Sequence, residues 1–362
     1  MPTPRFHELR VASIRPEAEG AVALALAVPP EWRDRFRFEP GQFLTLRAEV
    51  AGADLRRSYS ICSPRSLLAQ RGEIEIGVRA VQGGRFSQWA TRALKAGDRL
   101  QVLPPEGRFT VRRPRALHRV GFAAGCGITP ILSIMASSMQ DQPESKFTLV
   151  YGNRRMSSVM FNEALQDLKD RYTGRLTLIH ILSRQAQEGP LLEGRIDGDK
   201  VRAIIDALLP VESMDEVFIC GPEGMIEATE SALLAAGVPA ERLRAERFVS
   251  AGTAARPASV DPQASATPQR GHLLEVVLDG KVHSFSIGSE ERVLEVALAA
   301  GLDLPFSCKA GVCCTCRARV LHGEVRMERN FTLEEWEQKK GFVLTCQAKP
   351  RSAKVVISYD ER

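Results

Sequence analysis

Five of the eight cysteines lie between residues 308 and 346. Four crowd into the stretch FSCKAGVCCTC as Cys308, Cys313, Cys314 and Cys316, and Cys346 stands alone in LTCQAKP. Without Cys314 the pattern is C-x4-C-x2-C, followed after 29 residues by one more cysteine. A chain that uses all four of these thiols together must curl a short loop tightly and then return a distant segment to it. Gly311 inside the loop supplies the backbone freedom that such a wrap needs. At 362 residues the chain has room for two or three domains, so this requirement falls on only one of them.

The spacing selects the chemistry. A [2Fe–2S] cluster takes four thiolates, two for each iron, and C-x4-C-x2-C…C is the plant-type arrangement. Structural zinc sites with four cysteines usually pair two C-x2-C knuckles, and only one is present here. A four-thiolate site within the loop alone would need the adjacent Cys313 and Cys314 both to ligate. The expected ligands are therefore Cys308, Cys313, Cys316 and Cys346. Cys314, where plant-type loops usually carry a small residue such as Gly or Ser, is expected to be a thiol near the cluster. The N-terminus MPTPRFHELRV lacks a signal-peptide plan and no apolar run is long enough for a membrane span. A cytoplasmic location follows, where clustered thiols stay reduced.

The clearest boundary is SAGTAARPASVDPQASATPQRG, rich in Ala, Ser and Pro and without apolar period, which reads as a flexible linker over 250–270. Residues 271–362 then form one small domain. A change of texture near RRPRALH divides the remainder into 1–112 and 113–249. The net charge of +5 resides before the last domain. It is too mild and dispersed for nucleic acid but suits nucleotide phosphates.

The first region carries short β-rich runs: AVALALAV, GQFLTLRAEV, RSYSICS, EIEIGVRAV and RLQVLPP. Their spacing predicts an antiparallel β-barrel. From residue 119 four apolar strands alternate with helical patterns, which predicts an α/β doubly wound parallel sheet. Ligands of such sheets collect at the carboxyl ends of the strands. Two segments end strands there, GCGITP and CGPEGM. In the first, Gly125 and Gly127 allow close backbone approach to a pyrophosphate, and Pro130 suits a first helical turn.

Together RSYS, GGRFSQWA, GCGITP and CGPEGM resemble, in order and spacing, the ferredoxin–NADP reductase superfamily. Residues 271–362 resemble an α+β β-grasp ferredoxin. The resemblance implies FAD in the barrel, a nicotinamide nucleotide on the α/β domain and a C-terminal [2Fe–2S] cluster. It places Tyr59 against the flavin ring and Ser60 at its N5, with Cys220 as the third residue at the reacting rings. It assigns Arg57, Gly84 and Ser87 to the FAD phosphates and Phe248, in the segment ERF, to the ring's other face. For the nucleotide it implies Gly125, Gly127, Thr129 and Pro130 on one side and Cys220, Gly221, Pro222 and Met225 on the other. No carboxylate follows the second or third α/β strand, where YGNRR and SR stand instead. Arg154, Ser183 and Arg184 thus favour NADPH over NADH.

Reductase first and ferredoxin last is the order of the reductase component of multicomponent oxygenases. It implies electron flow from NADPH to FAD to [2Fe–2S] to an oxygenase. VYGNRRMSSVMF, LLEGRIDG and EVFICGPEGM are similar to reductase subunits of phenylacetyl-CoA epoxidases, which implies a di-iron oxygenase partner in aerobic phenylacetate catabolism. Reductases of other oxygenases or of hybrid-cluster proteins share these motifs. A redox-sensing protein and a zinc-stapled interaction protein are the readings from other classes.

Overall fold

The computed structural model describes residues 4–112, 115, 117–248 and 271–361. The expected linker lies outside the described residues. Two compact units are present, one of His7–Leu55 and Tyr59–Phe248, the other, among the described residues, of 4–6, Arg56–Ser58 and 271–361.

The first unit opens with β1 (His7–Ala18), β2 (Ala21–Ala27), β3 (Phe43–Val50) and β4 (Ala53–Ser60), then α1 (Arg65–Arg71), β5 (Glu73–Arg79), α2 (Arg85–Arg92) and β6 (Arg99–Val102). The strand order is β4-β3-β6-β1-β2-β5, and an Ile61–Ile76 bridge joins the two ends into the expected barrel. Strand β1 is an addition to the sequence reading, because its outward positions are polar and its charges dilute the pattern.

AVALALA shows how alternation is used. Val22, Leu24 and Leu26 fill the barrel, while Ala21 and Ala23 belong to the core shared with the α/β half. Gly77, paired with Ala23, lies so close to the α/β half that a Cβ there would come within 2.5 Å of Thr129 Cγ2. Small residues on one face let the barrel pack directly on a helix.

That helix is α3 (Ile128–Asp141), between β7 (His118–Ala124) and β8 (Lys146–Asn153). After them come α4 (Asn162–Arg171), β9 (Leu176–Leu182), α5 (Gly198–Leu208), β10 (Glu216–Gly221), α6 (Glu223–Ala235) and β11 (Leu243–Arg247). Every residue of α3 from Ile128 to Met139 is buried, as expected for a helix enclosed on all sides. The sheet is wholly parallel in the order β11-β10-β7-β8-β9. The chain winds outward in both directions from the β10–β7 junction, which is its topological switch point. Strand β11, LRAER, is a fifth strand beyond the four expected. It is a half-buried edge without an apolar run.

The second unit contains β12 (His272–Leu278), β13 (Lys281–Ile287), α7 (Val293–Ala299), β14 (Arg317–His322), β15 (Val325–Met327), α8 (Glu335–Lys339), β16 (Phe342–Leu344), β17 (Ala348–Pro350) and β18 (Lys354–Ser358). Its main sheet runs β13-β12-β18-β14-β16, with β12 and β18 parallel. The β12–β13 hairpin turns on Asp279 and Gly280, both at positive φ (49° and 73°), the conformation that favours an Asp-Gly pair. Leu274, Val276, Val293, Leu294, Val355 and Ile357 are fully buried in its core, which Cys316 and Cys346 join. Among the described residues no helix is long and apolar enough to cross a membrane.

Candidate functional site

In the first unit the switch point gathers both glycine-containing segments. β7 ends at Ala124, a 3-10 turn covers Gly125–Gly127, and α3 follows at once. Gly125 adopts φ +54°, a left-handed turn suited to glycine. Gly127 has ordinary dihedrals but no room, since a Cβ there would lie 2.0 Å from the carbonyl oxygen of Cys220. The second glycine therefore lets the start of α3 meet the end of β10. Thr129 is buried, and its hydroxyl donates to Cys126 O at 3.0 Å, securing the turn. Pro130 occupies the third position of α3, where a missing N–H costs little.

Across the switch point, Cys220 and Gly221 end β10 and Pro222 caps α6. Gly221 passes close to Met225, whose Cε would lie 2.8 Å from an added Cβ. Burial pushes the Cys220 thiol well above its ordinary range.

Ser60, at the end of barrel strand β4, reaches this same place, and its hydroxyl donates to Glu246 Oε2 at 2.8 Å. Glu246 pairs with Cys220 in the β10–β11 ladder. Removal from water raises its carboxyl to about 7, against a smaller opposing effect of the Ser60 bond. Three residues from three strands thus meet at one point. Glu246 entered the sequence reading only as a letter of ERF. Phe248, just beyond it, is half-buried against the shared core.

The Tyr59 ring is tilted over Phe86, with centroids 5.7 Å apart. Arg57 is exposed and donates to Arg56 O at 2.7 Å. Gly84 precedes α2, and the buried Ser87 hydroxyl donates back to Gly84 O at 3.1 Å while accepting from Val81 N at 3.2 Å. That hydroxyl orders its own turn, leaving the first amides of α2 as unspent helix donors.

On the other side of the sheet, Ser183 N donates to Asn153 O and Arg184 N to Arg154 O, at 3.0 and 2.9 Å. These bonds extend the β8–β9 pairing past the strand ends. They bring Arg154, Ser183 and Arg184 onto one edge, with both arginines exposed.

Arg79, at the end of barrel strand β5, was missed in the sequence. Its Nη1 would lie 3.8 Å from a Cβ on Gly125, and its Nη2 donates to Ser158 O at 2.8 Å. Its buried Nε has no hydrogen-bond partner among the described residues. A cation with an unspent donor beside the glycine turn fits an anionic ligand. The only sequence signal was a basic residue closing EIEIGVR.

In the second unit the cysteine loop runs from the end of α7 to β14. The β14–β16 ladder pairs Arg317 with Leu344, so Cys316 and Thr345 face each other just outside it. Thr345 donates to Cys316 O through its amide (3.2 Å) and its hydroxyl (2.9 Å), and the hydroxyl also bonds the Tyr359 hydroxyl. This brings Cys346 to the loop from 30 positions away. Cys308 neighbours the thiols of Cys313 and Cys346, and Cys346 also neighbours that of Cys316. Hydrogen bonds from Cys313 and Cys346, then from the Ala310 and Val312 amides, hold Cys308 well below the ordinary thiol range.

Among the described residues no three Cys, His, Asp or Glu side chains gather as ligands of a single ion. The four thiols, with the Ala310 amide donating to Cys308 Sγ at 3.3 Å, are the donor set of an iron–sulfur cluster. Gln347, missed in the sequence, donates to Lys309 O at 3.0 Å and stands 3.5 Å from Cys346 Sγ. Lys309, Gly311 and Cys314 all have positive φ (53°, 79° and 56°). Cys314 turns aside, its thiol donating to Thr332 Oγ1 at 2.8 Å. Its left-handed backbone explains why a small residue suits the position.

Three domain families match in order. They are the oxidoreductase FAD-binding domain over residues 19–111, the oxidoreductase NAD-binding domain over 122–231 and the 2Fe-2S iron-sulfur cluster binding domain over 276–351. The chain is 43% identical to one of the subunits of the 1,2-phenylacetyl-CoA epoxidase of Escherichia coli (strain K12), over 99% of this chain and 98% of the relative. It is 35% identical to the 3-ketosteroid-9-alpha-monooxygenase ferredoxin reductase component of Rhodococcus rhodochrous, over 97% and 96%. The chain belongs to the reductase components of oxygenase systems. Its fold is also that of phthalate dioxygenase reductase, with a TM-score of 0.58 at 23% identity and 98% coverage of both chains. This oxygenase reductase is an oxidoreductase with FAD-binding, NAD-binding and [2Fe–2S] domains, as the motifs had implied.

Proposed function

We propose that this reductase takes electrons from NADPH and delivers them, by way of FAD and a [2Fe–2S] cluster, to the di-iron oxygenase component of a phenylacetyl-CoA epoxidase in the cytoplasm. The observation that carries the partner is the 43% identity to the epoxidase relative along the whole chain, ahead of the 35% shared with the ketosteroid system. The clustered cysteines, which need reduced thiols, support the compartment. The working division is 1–112 for FAD, 113–249 for the nucleotide, 250–270 as linker and 271–362 for the cluster.

A flavin exchanges electrons in pairs or singly and so joins a two-electron donor to a one-electron centre. The chain's own residues orient these groups. Tyr59 would hold the flavin ring and Ser60 its N5, with Phe248 covering the opposite face. The bond that the Ser60 hydroxyl donates to Glu246 Oε2 fixes the orientation of Ser60, and burial raises the Glu246 carboxyl beside it to about 7. Arg57 and the amides that follow Gly84, in the turn ordered by Ser87, take the FAD phosphates.

Gly125, Gly127, Thr129 and Pro130 shape one wall of the nucleotide site, and Cys220, Gly221, Pro222 and Met225 shape the other. Their convergence at the switch point supports this assignment. Arg154, Ser183 and Arg184, together on one edge, offer the donors that a 2′-phosphate needs. Cys308, Cys313, Cys316 and Cys346 are the cluster ligands.

The test is reconstitution. The purified holoprotein is mixed with NADPH and with candidate oxygenases, and substrate oxidation is measured. Turnover of phenylacetyl-CoA by its epoxidase supports the proposal. Turnover of a ketosteroid or another oxygenase substrate, with none of phenylacetyl-CoA, overturns the partner.

A further inference from the structure

Tyr151 is buried without exposure at the C-terminal part of β8 and is paired with Ala123 on β7. Its hydroxyl donates to the carbonyl oxygen of Gly125 at 2.8 Å. The same oxygen accepts the N–H of Ile128 at the start of α3. Both of its lone pairs are thereby engaged, one from within the turn and one from a neighbouring strand. A peptide unit is planar and trans, so its C=O and N–H point in opposite directions. Holding the Gly125 oxygen inward turns the Cys126 N–H outward. As an early amide of a helical turn, that N–H has no partner within the turn. Gly125 at φ +54° would otherwise have wide freedom, because glycine pays no steric cost for several orientations.

We propose that Tyr151 is a positioning residue for nucleotide binding, its hydroxyl fixing the Gly125–Cys126 peptide so that the Cys126 amide is presented to the pyrophosphate of the nicotinamide dinucleotide. Arg79, beside the same turn with an unspent Nε, completes the anion-directed side of the site. This inference rests on the assignment of the switch point to the dinucleotide, and it names a residue to which the motifs gave no role. Tyr151 touches neither the ligand nor the reacting atoms and acts through the turn.

Tyr151→Phe in the FAD- and cluster-loaded full chain is the test, with NADP+ and adenosine 2′-monophosphate as probes of binding. The second probe carries the 2′-phosphate but no pyrophosphate. Removing the hydroxyl, which also neighbours the Asn153 side chain and the Met160 backbone, takes away its bond to Gly125 O and should weaken NADP+ binding about fivefold or more. Adenosine 2′-monophosphate should bind as it does to the wild type, and KM for NADPH should rise while kcat stays within about twofold. Unchanged NADP+ affinity overturns the inference. So does equal weakening of both probes, which marks a purely structural role. Should the variant lose flavin, Tyr151→Met keeps bulk without a donor and repeats the measurement. A wild type that binds neither NADP+ nor NAD+ overturns the dinucleotide reading itself, and the inference with it; one that binds NAD+ alone removes only the 2′-phosphate assignment, and the variant is then compared with NAD+.

Discussion

The glycine turn and the cysteine loop solve the same problem, a backbone wrapped closely around a ligand, by different means. At the switch point the left-handed residue is a glycine, Gly125, and closeness comes from a second glycine, Gly127, that removes a side chain. In the cysteine loop, non-glycine residues Lys309 and Cys314 also take left-handed conformations, and each costs about 1 kcal/mol or more. The switch point is assembled from distant strands, with Ser60, Glu246 and Cys220 each on a different one. The cysteine loop is local except for Cys346. A site made by topology is supported by its sheet before any ligand binds. A strained local loop needs braces, here Thr345, Gln347 and the Cys314–Thr332 bond, and gains most from its cluster.

The contrast can be broken most directly at the imported thiol. Cys346→Ser should abolish the cluster's visible absorption while NADPH still reduces the flavin. Loss of both would mean that the two sites are not independent. Gly127→Ala places a methyl 2.0 Å from Cys220 O and should cost ~2–3 kcal/mol through displacement of α3 or β10. A drop in thermal midpoint and in NADP+ affinity, with the cluster spectrum unchanged, is expected.

Glu246 sharpens the electrostatic side. Its folded-state value of about 7 exceeds the ordinary 4.5, so the folded protein holds a proton that the unfolded chain releases. Stability should therefore fall as pH rises from about 4.5 to about 7 and level off above. The loss should be at most ~2 kcal/mol for this partly exposed residue. Melting curves of Glu246→Gln should lack that slope. Arg184→Glu should reduce catalytic efficiency with NADPH by about tenfold more than with NADH; equal losses would remove the 2′-phosphate assignment. The smallest effect is expected at Cys314→Ser, which should retain the cluster and shift stability by less than ~1 kcal/mol. Loss of the cluster's absorption with the flavin's retained would place Cys314 among the ligands.

Much of this was legible because some chemical demands are local. The C-x4-C-x2-C spacing, the glycines of GCGITP and the alternation in AVALALAV are constraints that neighbouring residues impose on one another. Strand β11 was not legible, since an edge strand covered on one side needs no apolar run, and Glu246 stayed hidden with it. Arg79 looked like an ordinary strand-end charge.

The sequence alone determined the three modules, their order, the cysteines suited to a cluster and the turns that need glycine. Tertiary structure decided which residues meet. Ser60 with Glu246, Tyr151 with Gly125, and Arg79 with the glycine turn all depend on strand order and register. A one-residue slip would send each side chain to the opposite face of its sheet. Register is a property of long-range pairing, so no window of sequence around any one of these residues contains it.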